Sequence, residues 1–203
     1  MDEYKNIVQA CNQCDKCSFH ADRSSAIVGR TLWSGDSNLN APIMIIGEAP
    51  GFNEDKLGIP FVGAAGKYMQ AGLDKLGLSR KVYITNILKC RPPKNRDPSD
   101  KEKENCAPYL KRQIELIRPY IIISIGRHAF TELVPDHNLR ITREEGKIFH
   151  YRMEDESVIP VIPMLHSAYM LRQKGSATYP ELRESHWKNW TKIRDLCLTM
   201  ENN

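Results

Sequence analysis

The 203-residue chain has no long apolar run. Its longest, "YIIISI" at 120–125, is far below the roughly 20 residues that a membrane span needs. The opening "MDEYKNIVQACNQC" brings acids early and no apolar stretch behind them, so it does not read as a signal peptide. A soluble, cytoplasmic protein with no membrane partner is expected. Charge of one sign is also lacking: 29 basic against 25 acidic residues leave +4, which permits an anionic partner without demanding one. No internal repeat or low-complexity tract is present. At 41% hydrophobic, the chain has enough apolar side chains for one good-sized core.

Standard phosphate loops are missing as well. "GEAPGFNEDKLGIPFVGAAG", from Gly47 to Gly66, joins the apolar "PIMIIG" to the helix-like "KYMQAGLDKLG", where a phosphate cradle would sit. Gly58 and Gly63 have the spacing of GxxxxGK(S/T), but Ala64 and Ala65 stand where Lys and Ser/Thr are required. GxGxxG fails because no glycine here has another two positions on. Glu48, Glu54 and Asp55 would repel a phosphate. A bare phosphate is not what this loop holds.

What is present is an alternation of strand-like and helix-like segments. "IMIIG" at 43–47, "VYITN" at 82–86, "YIIISIG" at 120–126 and "VIPVIPM" at 158–164 are short and aliphatic or β-branched, as buried parallel strands are. Helices are expected over 64–77, over 100–117 with a capping box of Ser99 and Glu102, over "RHAFTELV", and over "PELRESHWKNWTKIRDLCLTM" at the C-terminus. This pattern predicts a single three-layer α/β/α domain, 1–203, around a mainly parallel four-stranded sheet. Residues 1–41 form its N-terminal segment and 42–203 its core. Such sheets bind ligands at the strands' carboxyl ends, where the glycine-rich loop, Asn86 and His166 all fall.

Six cysteines lie at 11, 14, 17, 90, 106 and 197. Without a secretion signal, clustered cysteines point to metal or redox chemistry more than to disulfides. "CNQCDKC" offers two overlapping C-x-x-C pairs, and Cys90 and Cys106 can complete four thiolates for zinc or a [4Fe–4S] cluster. The bland alternative is that Cys90 and Cys106 are packing residues. Spacing does not separate zinc from iron–sulfur.

Together "CDKCSFHADRSSAIVG", "GEAPGFNEDKLGIPFVGAAG", "VYITNILKCRPPKNRDP", the cysteine at 106, "LIRPYIIISIG" and "HSAYMLR" resemble the family-four, iron–sulfur uracil-DNA glycosylases, in the family's order and from Cys14 to about Arg172. The resemblance implies a [4Fe–4S] cluster on Cys14, Cys17, Cys90 and Cys106, leaving Cys11 as an extra and Cys197 as packing. It also implies that the glycine-rich loop holds a flipped base, taken out of the stack at a cost of a few kcal/mol. Gly47 and Gly51 let the backbone approach the nucleotide. Phe61 offers the flat wall on which uracil stacks, and Asn86 pairs donor and acceptor with uracil's imide edge. His166 donates to the departing base. Alone, Phe61 would read as core, Asn86 as a strand end and His166 as a surface histidine.

The implied activity is hydrolysis of the N-glycosidic bond of uracil in DNA, leaving an abasic site. Many uracil glycosylases carry an aspartate where this chain has Ala49, so the water falls to Glu48 or to backbone groups of the turn. Glu54 resembles the family's acid at the uracil C5 edge, where bulk excludes the methyl of thymine. "RPPKNRDPSDKEKEN" at 91–105 is either a solvated connection or, through Arg91, Lys94 and Arg96, a DNA contact. Ser167, Tyr169, Met170, Leu171 and Arg172 are expected on the DNA, one of 169–171 filling the gap left in the duplex. Ser167 departs from the family's usual proline. Related proteins trap uracil-DNA through a histidine in the loop at 91–102; this chain has none there. Other readings are a different base range (hypoxanthine, xanthine or a modified pyrimidine), a tight uracil-DNA binder, or an iron–sulfur redox protein. A monomer is expected, with a sliding clamp or other repair proteins as partners.

Overall fold

The computed structural model describes residues 2–31, 39–136 and 138–201; residues 32–38 of the expected N-terminal segment lie outside them. The four aliphatic segments are strands, and two more join them. In chain order these are β1 (Arg30–Thr31), β2 (Ile43–Gly47), β3 (Val82–Asn86), β4 (Ile121–Ile125), β5 (Phe149–Arg152) and β6 (Val158–Met164). The expected four-stranded sheet is corrected to six strands in the order β1-β3-β2-β4-β6-β5. The inner four run parallel, and β1 and β5 pair antiparallel at the two edges. The inner strands are visible in the sequence because both faces are covered and every residue of β2, β3 and β4 is buried. β1 has only two residues, and in β5 half-buried and exposed positions alternate; such edges leave a weak signal.

The helices are α1 (Asp2–Asn12), α2 (Phe52–Leu57), α3 (Ala64–Lys75), α4 (Asp100–Ile117), α5 (Arg127–Leu133), α6 (Ile141–Glu144), α7 (Ser167–Gln173) and α8 (Tyr179–Glu201). Because side chains alternate along a strand, β2 sends Met44 and Ile46 to one core with Ile7, Leu110, Ile114 and Ala129 of α1, α4 and α5. It sends Ile43 and Ile45 to the other, with Met69, Leu73, Trp190 and Ile193 of α3 and α8. Three layers result. The capping box that starts α4 forms as the sequence predicts, Ser99 accepting from the Glu102 N–H and Glu102 accepting from the Ser99 N–H. Among the described residues no helix is long and apolar enough to cross a membrane.

The topology fixes where a ligand can enter. From β2 the chain moves to β3 on one side, and then to β4 and β6 on the other. The connections leaving β2 and β4 therefore diverge, and a crevice opens at their carboxyl ends. Glu48 follows β2 and Arg127–His128 follow β4, so these residues face one another across it.

Candidate active site

Gly47 ends β2 in register with Asn86 at the end of β3. A Cβ on Gly47 would stand 2.5 Å from both Asn86 Oδ1 and Phe61 Cζ. The absent side chain lets an aromatic ring and a buried primary amide close over the backbone at the end of β2. Asn86 belongs to the buried strand end, and Phe61 is half-buried at the edge of the pocket. The surrounding pocket also takes in Glu48, Ala49, Gly51, Glu54 and His166.

Phe61 is held there at a cost. Its φ of 56° lies in the left-handed region, which costs a residue with a side chain about 1–2 kcal/mol. Two devices hold it. Glu54 Oε1 accepts from the N–H groups of Val62 (2.9 Å) and Gly63 (2.7 Å). Gly66 makes room for the Phe61 carbonyl, which any Cβ at 66 would strike. Glu54 comes from α2, a helix hidden inside the glycine-rich stretch that the sequence reading missed. In this structure its carboxylate braces the loop.

His166 precedes α7 with φ −65° and ψ 133° and caps it: the Ala168 N–H donates to Nδ1 at 3.1 Å. That bond makes Nδ1 an acceptor, so Nε2 carries the proton. Burial, with Arg172 nearby, pulls the His166 pKa below its ordinary value, which leaves a neutral imidazole with one N–H to give.

Glu48, half-buried, has its pKa raised by desolvation; His128 opposes the rise and Asp97 adds to it. His128 Nε2 lies 4.0 Å from Glu48 Oε2 and 3.1 Å from Asp97 Oδ2. The ligand atoms of these three side chains all fall within 4.8 Å of one another. The Arg127 guanidinium, 3.2 Å from Asp97 and 2.9 Å from His128 Nε2, already supplies positive charge there. The sequence reading treated His128 as a helix residue and missed it, although its place just after a buried strand was the available signal.

Five cysteines, 11, 14, 17, 90 and 106, line one cavity; Cys197 is buried elsewhere, on the core-facing side of α8. Among the described residues, no three thiols have sulfurs all within 4.8 Å of one another. Four ligands on one tetrahedral zinc, with Zn–S of about 2.3 Å, would place their sulfurs about 3.8 Å apart. The spread suits a larger group. N–H donors reach three of the sulfurs: Arg23 Nη1 to Cys90 (2.9 Å), the Lys89 amide to Cys106 (3.3 Å) and Asn105 Nδ2 to Cys17 (3.7 Å). Donors of this kind suit thiolates that carry a metal cluster. Burial alone would keep the Cys106 thiol protonated, its pKa pushed up to about 11, and metal binding is what converts such thiols to thiolates. The cysteines that line this cavity thus fit an iron–sulfur cluster. Lys89, fully buried, links this cavity to Asn86: its Nζ donates to Thr85 Oγ1 (2.7 Å) and to the Asn86 carbonyl (2.6 Å).

The model of the uracil DNA glycosylase superfamily matches residues 34–191. The chain belongs to that superfamily. It is 40% identical to the Type-4 uracil-DNA glycosylase of Archaeoglobus fulgidus, over 97% of this chain and 94% of that one. It is also 40% identical to the Type-4 enzyme of Sulfurisphaera tokodaii, over 98% and 87% of the two chains. To that of Thermotoga maritima it is 36% identical, over 84% of each.

In this member of the superfamily the rim of the pocket is uneven. Arg96 gives both terminal nitrogens to Glu102, at 2.8 and 2.5 Å, so its guanidinium braces the start of α4. Arg91 lies over the Phe52 ring, 5.1 Å from its centroid, and donates from Nε to Asn95 Oδ1 at 2.7 Å; Lys94 is exposed. Of the α7 residues, Ser167 and Met170 are buried, Tyr169 and Leu171 half-buried, and Arg172 exposed on the pocket. Phe52, 58% exposed, is an aromatic on this rim that the sequence reading passed over.

Proposed function

We propose that this protein is a monofunctional uracil-DNA glycosylase that hydrolyses the N-glycosidic bond of uracil in single- or double-stranded DNA and leaves an abasic site. The observation that carries the proposal is the pocket at the end of β2, where Gly47 lets the Phe61 ring and the Asn86 amide come together beside Glu48 and His166. A flipped pyrimidine stacks on Phe61, a contact worth about 1–3 kcal/mol. The Asn86 amide gives a donor and an acceptor to the imide edge, a pattern that cytosine reverses. The glycosidic bond breaks largely before water attacks, so the base gains negative charge and the sugar positive charge. His166 donates from Nε2 to a uracil carbonyl and stabilises the base anion. Glu48 holds the water at the sugar and faces its positive charge. With Met170 buried, the gap in the duplex is filled by Tyr169 or Leu171, and Arg91, Lys94 and Arg172 meet phosphates.

Cys14, Cys17, Cys90 and Cys106 hold a [4Fe–4S] cluster, whose contribution when bound is to cross-link the N-terminal segment to the connection after β3 and to α4. The whole chain acts as one domain. The test is incubation with uracil-containing oligonucleotide followed by alkali, alongside cytosine, thymine, hypoxanthine and xanthine substrates. Strand cleavage at uracil, from a brown protein with about four irons per chain, is expected. A colourless protein holding one zinc would refute the cluster, and intact uracil strands would refute the activity.

A further inference from the structure

We infer that His128 is a positioning residue for Glu48, holding it as a carboxylate at the crevice between β2 and β4. The inference rests on the reading of Glu48 as the holder of the attacking water. This chain has alanine at position 49, and in the proposed function Glu48 is the carboxylate at the sugar. Burial works against its charge.

Three charged groups surround the His128 imidazole. Glu48 comes from the turn after β2, Asp97 from the connection before α4, and Arg127 from its own helix. Asp97 and Arg127 have side chains 71% and 64% exposed, whereas His128 is only 12% exposed. Water screens these two, so of the three groups beside Glu48 (His128, Asp97 and Arg127) the imidazole, when charged, acts on it through the lowest local dielectric. Its Nε2 proton decides what it does. Protonated, Nε2 donates to Asp97 at 3.1 Å and sets a positive charge 4.0 Å from Glu48 Oε2. Bare, Nε2 accepts from Arg127 Nη2 at 2.9 Å and offers Glu48 nothing. When charged, the imidazole resists the uptake of a proton by Glu48; when neutral, it does not.

The sign of the effect follows. Excision falls as pH drops through the titration of Glu48, and loss of the imidazolium moves that titration to higher pH. The experiment is single-turnover excision of uracil from single-stranded DNA against pH, for the iron-loaded wild type, His128→Gln and Glu48→Gln. Glu48→Gln should abolish the acid limb. His128→Gln should keep it and move it up by about one pH unit, so that well below both midpoints it is about tenfold slower than wild type relative to its own plateau. If Glu48→Gln abolishes the limb and His128→Gln leaves it in place, the role of His128 is overturned while that of Glu48 stands. If Glu48→Gln keeps the limb, Glu48 is not the titrating group and both fall. A second measurement does not depend on the His128 variant folding: the His128 imidazole is titrated by NMR in wild type and in Glu48→Gln. The coupling is mutual, so the midpoint should drop when the carboxylate is removed, and an unchanged midpoint overturns the inference.

Discussion

At the scale of single residues, the pocket depends on what is left out as much as on what is placed. Gly47 is required because the Asn86 amide and the Phe61 ring occupy the place of its missing Cβ, with Asn86 Oδ1 and Phe61 Cζ both 2.5 Å from where that atom would be. Gly47→Ala should therefore push ring or amide aside and reduce uracil excision about a hundredfold, with iron content unchanged. Glu54 makes a different case. The sequence resemblance suggests that it guards the C5 edge of uracil, yet its Oε1 is spent on the amides of Val62 and Gly63. Glu54→Ala strands two N–H groups, at about 1–3 kcal/mol each where buried, and frees Phe61 from its left-handed backbone. A lower Tm and weaker excision are expected, with Glu54→Gln largely retaining both. New excision of thymine by Glu54→Ala would instead restore the steric role. Motif letters locate a residue but not the partner its side chain chooses, which depends on a loop returning from eight positions away.

At the scale of elements, legibility followed burial. β2, β3 and β4 were readable because they are covered on both faces, and α4 because its capping box is local in sequence. α1, α2, β1 and β5 were not: they are short, polar or at an edge, and they form because the rest of the domain offers them a surface. The start of α7 shows the same division. The sequence marks Ser167 as a departure from the family's proline, but His166 caps the helix itself, with φ at −65°. Ser167 is the first residue of α7, where proline is best tolerated, and the extended His166 suits a following proline. Ser167→Pro should thus fold and gain about 0.4–1 kcal/mol, read as a Tm rise of a few degrees. Excision from duplex should rise by no more than a few-fold, and its loss would show that the serine itself contacts the substrate.

At the scale of the whole molecule, a net charge of +4 places the burden of DNA binding on where the cations stand. Arg91 sits over Phe52 on the pocket's rim, whereas Arg96 is occupied by Glu102. Arg91→Ala should reduce the slope of log affinity against log salt by about one. Arg96→Ala should leave that slope nearly unchanged while lowering the Tm, and equal slope losses from both would place Arg96 on the phosphates. The same architecture brings Asn86, Glu48 and His166 from separate strand ends, and Phe61 from the loop between α2 and α3, to one crevice, where the proposed function has them converge on a flipped uracil. The most direct test is single-turnover uracil excision by Asn86→Asp, at matched iron content and matched binding to undamaged duplex. A carboxylate cannot donate to the uracil carbonyl and repels the departing anion, so the rate should fall at least about a hundredfold. A variant that excises uracil at the wild-type rate would show that Asn86 does not read the base.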